Sequence, residues 1–178
     1  LLEPADLLKT EAEALLAGMV LDTKQFTMRT GSRTFEAAAF LRRSGADTGD
    51  VKKLFQNDLE GTIAKYDIIQ NAKMYHEGIA VAKVDHTVGR ITAAQAADEL
   101  LNISGIDTSF VLFPDQEGRV ILSARSMGDV NVQVVLEKLG GGGHRTIAGA
   151  QMEGVSIEGA KERLKEVICQ MMEEGEVS

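Results

Sequence analysis

Apolar residues in the first part of the chain recur at the spacing of helices. Between Leu7 and Val20 they fall four residues apart, which places most of them on one face of a helix that reaches Asp22. Residues 27–32 are mostly polar and contain Gly31, so they predict a loop. The chain is therefore expected to begin with a helix and a turn.

Further helices are predicted after this loop. Thr34 is placed to cap a second helix that runs to Arg43 and stops at Gly45. A third helix is expected from about Asp50, and the uninterrupted stretch at residues 61–75 predicts a longer helix. We expect this last helix to connect two parts of the molecule.

After Gly78 the pattern changes to strands alternating with helices. A strand is predicted at residues 79–84, a helix at 93–101, and a hairpin with strands at 110–113 and 120–123. The chain then closes with a helix at 130–139, a strand at 148–152, and a helix capped by Ser156 that ends at Met172. Together these elements predict an α/β fold, helical at first and a mixed sheet with helices afterwards.

Composition limits the classes of function. The 178 residues carry a net charge of −8, which argues against binding duplex nucleic acid, because that affinity comes largely from Lys and Arg neutralising phosphates. A pocket for one small phosphate ligand is still compatible with this charge. The single cysteine, Cys169, fits a reducing cytosol, and no apolar run reaches the roughly 18 residues of a membrane span. We therefore expect a cytoplasmic location without membrane contact from this chain.

The four consecutive glycines at residues 140–143 are followed by His144. A run of glycines is costly in backbone entropy, so it indicates a local requirement, and we expect Gly142 to adopt a positive φ. Backbone N–H groups of such a turn can converge on an anion, and His144 can donate a hydrogen bond to a phosphate oxygen or a base. The alternative is a flexible turn with an incidental histidine.

Arg125 and Ser126 stand at the end of a predicted strand. A guanidinium group is a planar fork that matches phosphate, and a serine offers a short neutral donor. The alternative is an arginine that lies on a sheet edge.

Two residues of the helical part each allow a functional and a structural interpretation. Asp22, after an apolar helix, is either a metal ligand or a solvated helix end. Arg29 lies in a polar loop before a helix N-terminus, which is either an anion site or a capped helix with solvated arginines.

These pieces together resemble the DHH/DHH-associated phosphoesterases. "LLAGMVLDTKQFTMRTGSRTFEAAAFLRRSGAD" is similar to the last part of the catalytic DHH domain, and "ILSARSMGDVNVQVVLEKLGGGGHRTIAGAQM" to the smaller DHH-associated domain. The sequences of these motifs are most similar to those of the bacterial cyclic-di-AMP phosphodiesterases. The resemblance implies a helical remnant of the DHH domain at 1–60, a connector helix at 61–76 and a mixed-sheet domain at 77–178.

The resemblance also implies metal-dependent hydrolysis by two ions, usually manganese. Asp22 matches the family's late aspartate ligand, but no Asp-His-His motif occurs in the chain. One carboxylate cannot hold two ions, so we expect this chain to be an inactive fragment of the enzyme.

Substrate recognition is the function that the resemblance leaves to this chain. It implies a cyclic dinucleotide or a short oligonucleotide as the ligand, held by residues that we list here: Arg29, Arg125, Ser126, Asn131, Gly141, Gly142, Gly143 and His144.

Other functions stay open at this stage. One is an oligoribonuclease that also acts on phosphoadenosine phosphate, and another is a nucleic-acid-binding module without catalysis. A dimerisation domain without a ligand is the simplest alternative. Exposed apolar residues on the first helix, which are Leu7, Leu15, Met19 and Val20, would favour a homodimer.

Overall fold

A computed structural model describes residues 7–173. Contacts between Cα atoms divide the chain after Asp58 into two compact units. The fold is mixed α/β, as predicted, with the helices of the first unit preceding a sheet in the second. None of the helices in the described range is long and apolar enough to cross a membrane.

In residues 7–58 the first unit has three helices around a small aliphatic core. They are α1 (Lys9–Asp22), α2 (Ser32–Arg43) and α3 (Thr48–Lys53). The buried apolar residues of this core are Ala12, Leu16, Ala17, Leu41, Ala46 and Val51.

The predicted apolar surface of α1 is present only in part. Leu7, Met19 and Val20 are half-buried and pack against the core of the first unit, whereas Leu15 is 52% exposed. Leu8 and Leu21, at the two ends of the helix, are 67% and 68% exposed. The spacing along α1 alone does not reveal which of these side chains are covered.

The cap of α2 also differs from the prediction. The helix begins at Ser32, and Gly31 occupies the N-cap position. The Thr34 hydroxyl is already inside the first turn, where it accepts a hydrogen bond from the Gly31 N–H at 3.2 Å. Thr34 therefore stabilises the start of α2 from within, and it does not mark that start.

Within residues 59–173 the second unit contains a six-stranded sheet and four helices. The helices are α4 (Leu59–Gln70), α5 (Arg90–Leu100), α6 (Val132–Glu137) and α7 (Ile157–Glu173). The strands are β1 (Ala72–His76), β2 (Gly78–Lys83), β3 (Ile106–Pro114), β4 (Val120–Ser126), β5 (Gly142–His144) and β6 (Ile147–Met152).

The strand order across the sheet is β1-β2-β3-β4-β6-β5. Strands β2 and β3 are parallel and are joined by α5, whereas all other neighbouring pairs are antiparallel. The predicted hairpin is confirmed as β3 and β4, and Ser156 begins the closing helix as predicted, because its hydroxyl accepts from the Gly159 N–H at 3.1 Å. The helix predicted at 130–139 is shorter, since α6 has six residues.

The prediction of a long connector helix is wrong for its last residues, 71–76. The helix α4 ends at Gln70, and Ala72–His76 forms strand β1 at the edge of the sheet, paired with β2. The Asn71 side chain donates to the Asp67 carbonyl at 2.7 Å and helps to end the helix. Residues 72–76 contain no helix breaker, so only their pairing with β2 decides that they are a strand.

Each face of the sheet has its own apolar core. Along β4 the side chains of Val120, Leu122 and Ala124 pack with α6 and α7, whereas Ile121 packs with α4 and α5. This alternation follows from the two-residue period of a strand. It assigns every β4 side chain to one face, including those at its carboxyl end.

Candidate functional site

Arg125 and His144 lie on one face of the sheet, in one row across three strands. In the antiparallel register Arg125 of β4 is opposite Ile147 of β6, and Ile147 is opposite His144 of β5. Side chains of directly opposed residues project on the same face. The two residues that the sequence singled out are therefore neighbours of one exposed apolar side chain, Ile147, which is 45% exposed.

This is the face covered in part by α5. Ser109, which is opposite Arg125 on β3, donates its hydroxyl hydrogen to the Ala97 carbonyl of α5 at 2.7 Å. The Arg125 Nε donates to the Asp98 carboxylate of α5 at 3.1 Å. The end of β4 is thus attached to the last turns of α5.

The Arg125 guanidinium is held by hydrogen bonds that do not use all of its N–H donors. The residue is 9% exposed, and its Nη1 donates to the Ala124 carbonyl at 2.9 Å and to the Ser123 hydroxyl at 3.4 Å. No described residue accepts from Nη2, which keeps two of the five N–H donors of an arginine available. A fixed fork with a free edge is suited to bind a phosphate or a base.

Beside Arg125 the sheet forms a cavity of about 470 Å³. Its floor is a row of three opposed residues with small side chains or none, Ser123, Gly149 and Gly142. We call it the glycine cavity. The residues that line it are Arg90, Phe113, Ile121, Leu122, Ser123, Gly140, Gly141, Gly142, Gly149, Ala150 and Gln151.

Two of the four consecutive glycines are required by close backbone contact. A Cβ atom at Gly141 would lie 2.3 Å from the Gly149 carbonyl oxygen, and one at Gly143 would lie 2.4 Å from that of Ile147. Gly143 also has φ +152°, a region that residues with a side chain rarely adopt. The run therefore lets β5 pack closely against β6, and residues 142–144 are a strand where a loop was predicted.

Close backbone contact does not explain the glycine at position 142. We expected a positive φ at this position, but its φ is not positive and a Cβ atom there would meet nothing within 4 Å. Gly142 lies in the cavity floor, so a side chain at this position would project into the cavity.

His144 is exposed at the end of β5, just before the two-residue turn to β6. The turn is held by Arg145, whose Nε and Nη2 donate to the Gly128 carbonyl at 3.1 and 2.9 Å. Among the described residues none forms a hydrogen bond with the imidazole of His144. Its ring nitrogens are accessible for a ligand, while Arg145 keeps the hairpin in place.

Ser126 and Asn131 are placed by internal hydrogen bonds. Ser126 is 5% exposed and lies on the face opposite Arg125, where its hydroxyl accepts from the Gly128 N–H at 2.9 Å. The Asn131 side chain caps α6 by accepting from the Gln133 N–H at 3.2 Å. The structure therefore does not bring the Ser126 hydroxyl to the cavity, and both side chains have structural partners.

Replacing Asn131 with alanine is expected to lower the free energy of unfolding by about 1 kcal/mol, the usual effect of losing an N-cap. Asn131→Ser keeps a side-chain oxygen and should retain most of that stability. Denaturant unfolding followed by circular dichroism measures both variants. An alanine variant as stable as the wild type would contradict the capping role, and a loss of ligand affinity in both would indicate that the amide itself binds.

Arg29 and Asp22 belong to the first unit. Both are exposed, and Arg29 adopts a left-handed conformation with φ +54° in the loop after α1. No group of three or more His, Cys, Asp or Glu side chains within residues 7–173 is arranged to hold a metal ion. The described residues therefore do not fit the pair of manganese ions that the resemblance implied for an intact enzyme.

Two polar residues of the cavity escaped the sequence analysis: Arg90 and Gln151. Arg90, the first residue of α5, donates from Nη2 to the Gln151 Oε1 on β6 at 3.1 Å. That pair is 61 residues apart in sequence, and no local pattern predicts it.

Residues 76–174 match the DHHA1 domain model. The chain belongs to this family. The DHHA1 match contains the whole glycine cavity together with Arg125 and His144, and the first unit lies outside it.

Curated relatives of this DHHA1 chain include two bacterial enzymes. It is 48% identical over 93% of its length to a cyclic-di-AMP phosphodiesterase GdpP of Geobacillus thermodenitrificans. It is 45% identical over 88% of its length to the cyclic-di-AMP phosphodiesterase PdeA of Listeria monocytogenes. The chain spans about a quarter of these relatives, 25% and 24% of their lengths respectively.

One solved structure shares the fold of the DHHA1 chain. An exopolyphosphatase-related protein of Bacteroides fragilis aligns with a TM-score of 0.83 over 94% of this chain and 52% of its own. The sequence identity is 21%, so this likeness concerns the fold alone.

Proposed function

We propose that this chain is the substrate-recognition part of a metal-dependent phosphodiesterase that hydrolyses cyclic-di-AMP to linear pApA. The observation that carries the proposal is the identity of 48% and 45% to two cyclic-di-AMP phosphodiesterases over 93% and 88% of the chain. Both matches include the DHHA1 region with its cavity.

The chemistry of the glycine cavity supports a phosphate-containing ligand. A protein with a net charge of −8 here places two arginines on one face of the sheet, Arg90 in the cavity and Arg125 next to it. The glycine floor allows a flat base or a ribose to approach the backbone closely. In this proposal the Arg125 Nη2 and the His144 imidazole donate to the ligand, and Ser123 contributes a hydroxyl from the floor.

The bond-breaking step belongs, in this proposal, to another part of the protein. The three described helices of the first unit would be a remnant of the catalytic DHH domain, with Asp22 as one of its metal ligands and Arg29 as a substrate-binding residue. The protein would act in the cytoplasm. The chain itself would contribute binding and orientation of the dinucleotide.

The test of this function is binding of cyclic-di-AMP to the 178-residue chain, measured by isothermal titration calorimetry. We expect saturable binding that Gly142→Val weakens at least tenfold, because the valine side chain enters the cavity. A short oligoribonucleotide bound more tightly than cyclic-di-AMP would favour the oligoribonuclease alternative. Binding of neither ligand by a folded chain would refute the recognition role.

The chain alone is expected not to hydrolyse cyclic-di-AMP in the presence of Mn²⁺. The physical reason is that Asp22 supplies one carboxylate and the described residues offer no cluster of three metal-binding side chains. Chromatographic separation of cyclic-di-AMP from pApA measures the turnover. Chelator-sensitive hydrolysis by the pure chain at the rate of a longer relative would show that the metal site has been misassigned.

A further inference from the structure

One arginine lines the glycine cavity and a second lies outside its lining, on the same face of the sheet. Arg90, in the first turn of α5, contacts Gln151 near the end of β6. Asp98, near the end of α5, contacts Arg125, which is opposite Ile147 at the start of β6. The helix and the strand thus run side by side between two arginines.

Arg90 is the only charged side chain among the described residues that line the cavity. It is exposed and forms no ion pair with an acidic side chain of the described residues, and its hydrogen-bond partner, the Gln151 amide, is neutral. Arg125, in contrast, is paired with a carboxylate. The charge of Arg90 is therefore uncompensated, although the protein as a whole is acidic.

The two arginines are held by contacts that lie well apart along α5 and β6. Residues 90 and 98 are separated by about 12 Å along α5 at the standard helical rise. Residues 147 and 151 are separated by about 13 Å along β6 at the standard strand rise. Because Gln151 and Asp98 hold the guanidinium groups at these two ends, the two arginines are suited to bind two different phosphate groups.

We propose that Arg90 binds a second phosphate group of the ligand, and that Gln151 holds its guanidinium in place until that ligand arrives. This inference rests on the proposed function, since it assigns the first phosphate to Arg125. The nucleoside between the two phosphates lies over the floor of Ser123, Gly149 and Gly142. The site then selects dinucleotides that carry two phosphate groups over mononucleotides that carry one.

The test compares pApA with adenosine 5′-monophosphate as ligands of the 178-residue chain by calorimetry. We expect the wild type to bind pApA about tenfold more tightly than the mononucleotide. Arg90→Ala should reduce the affinity for pApA about tenfold, because it removes a hydrogen-bonded charge contact. The affinity for the mononucleotide should not change.

Two further variants make the result specific. Arg163→Ala removes the same charge from an exposed position on α7 outside the cavity, and it should bind both ligands like the wild type. Gln151→Ala releases the Arg90 guanidinium without removing its charge, and we expect it to keep the preference for pApA. Circular dichroism confirms that each variant is folded.

The outcomes separate this inference from the proposed function. If Arg90→Ala behaves like Arg163→Ala while the wild type binds pApA, the second phosphate site is wrong and the recognition role stands. If Arg90→Ala weakens both ligands equally, the residue shapes the cavity and does not read a second phosphate. If the folded wild type binds neither ligand, the proposed function is refuted, and the second phosphate site is refuted with it.

Discussion

Gly143→Val is expected to lower the free energy of unfolding of the second unit by about 3 kcal/mol or more. Two effects combine, a backbone strain of about 1–3 kcal/mol and an overpacking cost of similar size. The strain arises because Gly143 has φ +152°. The overpacking arises because a Cβ atom would lie 2.4 Å from the Ile147 carbonyl oxygen and 2.6 Å from the Ala148 Cα.

The matched control is Gly142→Val, one residue earlier in the same strand. Its Cβ atom would meet nothing within 4 Å, so the free energy of unfolding should change by no more than about 0.5 kcal/mol. Ligand affinity should nevertheless fall, because the valine fills the cavity. The two valine variants therefore separate a glycine required for folding from a glycine required for binding.

Denaturant unfolding followed by far-ultraviolet circular dichroism measures both variants, because the chain contains no tryptophan for fluorescence. If Gly143→Val does not fold, Gly143→Ala keeps the test quantitative with a smaller side chain. Equal stability of the valine variants at 142 and 143 would contradict the assignment of the close contact between β5 and β6.

Arg125→Ala is expected to reduce the affinity for cyclic-di-AMP by about ten- to a hundredfold. Hydrogen bonds to a charged group contribute about 1.5–3 kcal/mol each, which corresponds to that range. The substitution removes the free Nη2 edge of Arg125, which is the group that we expect to contact the ligand. In a longer protein that includes the catalytic domain, kcat/KM should fall by a similar factor while metal content stays unchanged.

Arg125→Lys and Arg163→Ala are the controls for this prediction. Lysine keeps the positive charge but not the planar fork, so it should restore only part of the affinity. Arg163→Ala tests the loss of one positive charge far from the cavity and should have little effect. Affinity of Arg125→Ala equal to that of Arg163→Ala would show that Arg125 only attaches β4 to Asp98.

The placement of Arg125 shows how far the sequence could go at the site. The strand that leads to Arg125 was correctly predicted, because an apolar run, Val120-Ile121-Leu122, follows a clear hairpin turn. In the structure β4 continues to Ser126, beyond the predicted end at residue 123. The prediction that both residues point at the ligand was not supported. Neighbouring residues of a strand point to opposite faces. Arg125 therefore contacts Asp98 on one face, whereas Ser126 is buried on the other.

The sequence by itself determined the features that depend on neighbouring residues. The β3–β4 hairpin, the Ser156 cap and the glycine run after α6 each depend on residues within a few positions of one another. The similarity to DHH-associated proteins was also visible, since it consists of short motifs in a fixed order. Local backbone preference and capping produce these features without long-range contacts.

Only the tertiary structure decided the features that depend on pairing between distant segments. Residues 72–76 became a strand because β2 offers them a partner, and the row of Arg125, Ile147 and His144 exists because β6 lies between β4 and β5. The contact of Arg90 with Gln151 spans 61 residues. Register and strand order bring such residues together through hydrogen-bonded ladders, and these interactions leave no periodic pattern in the sequence.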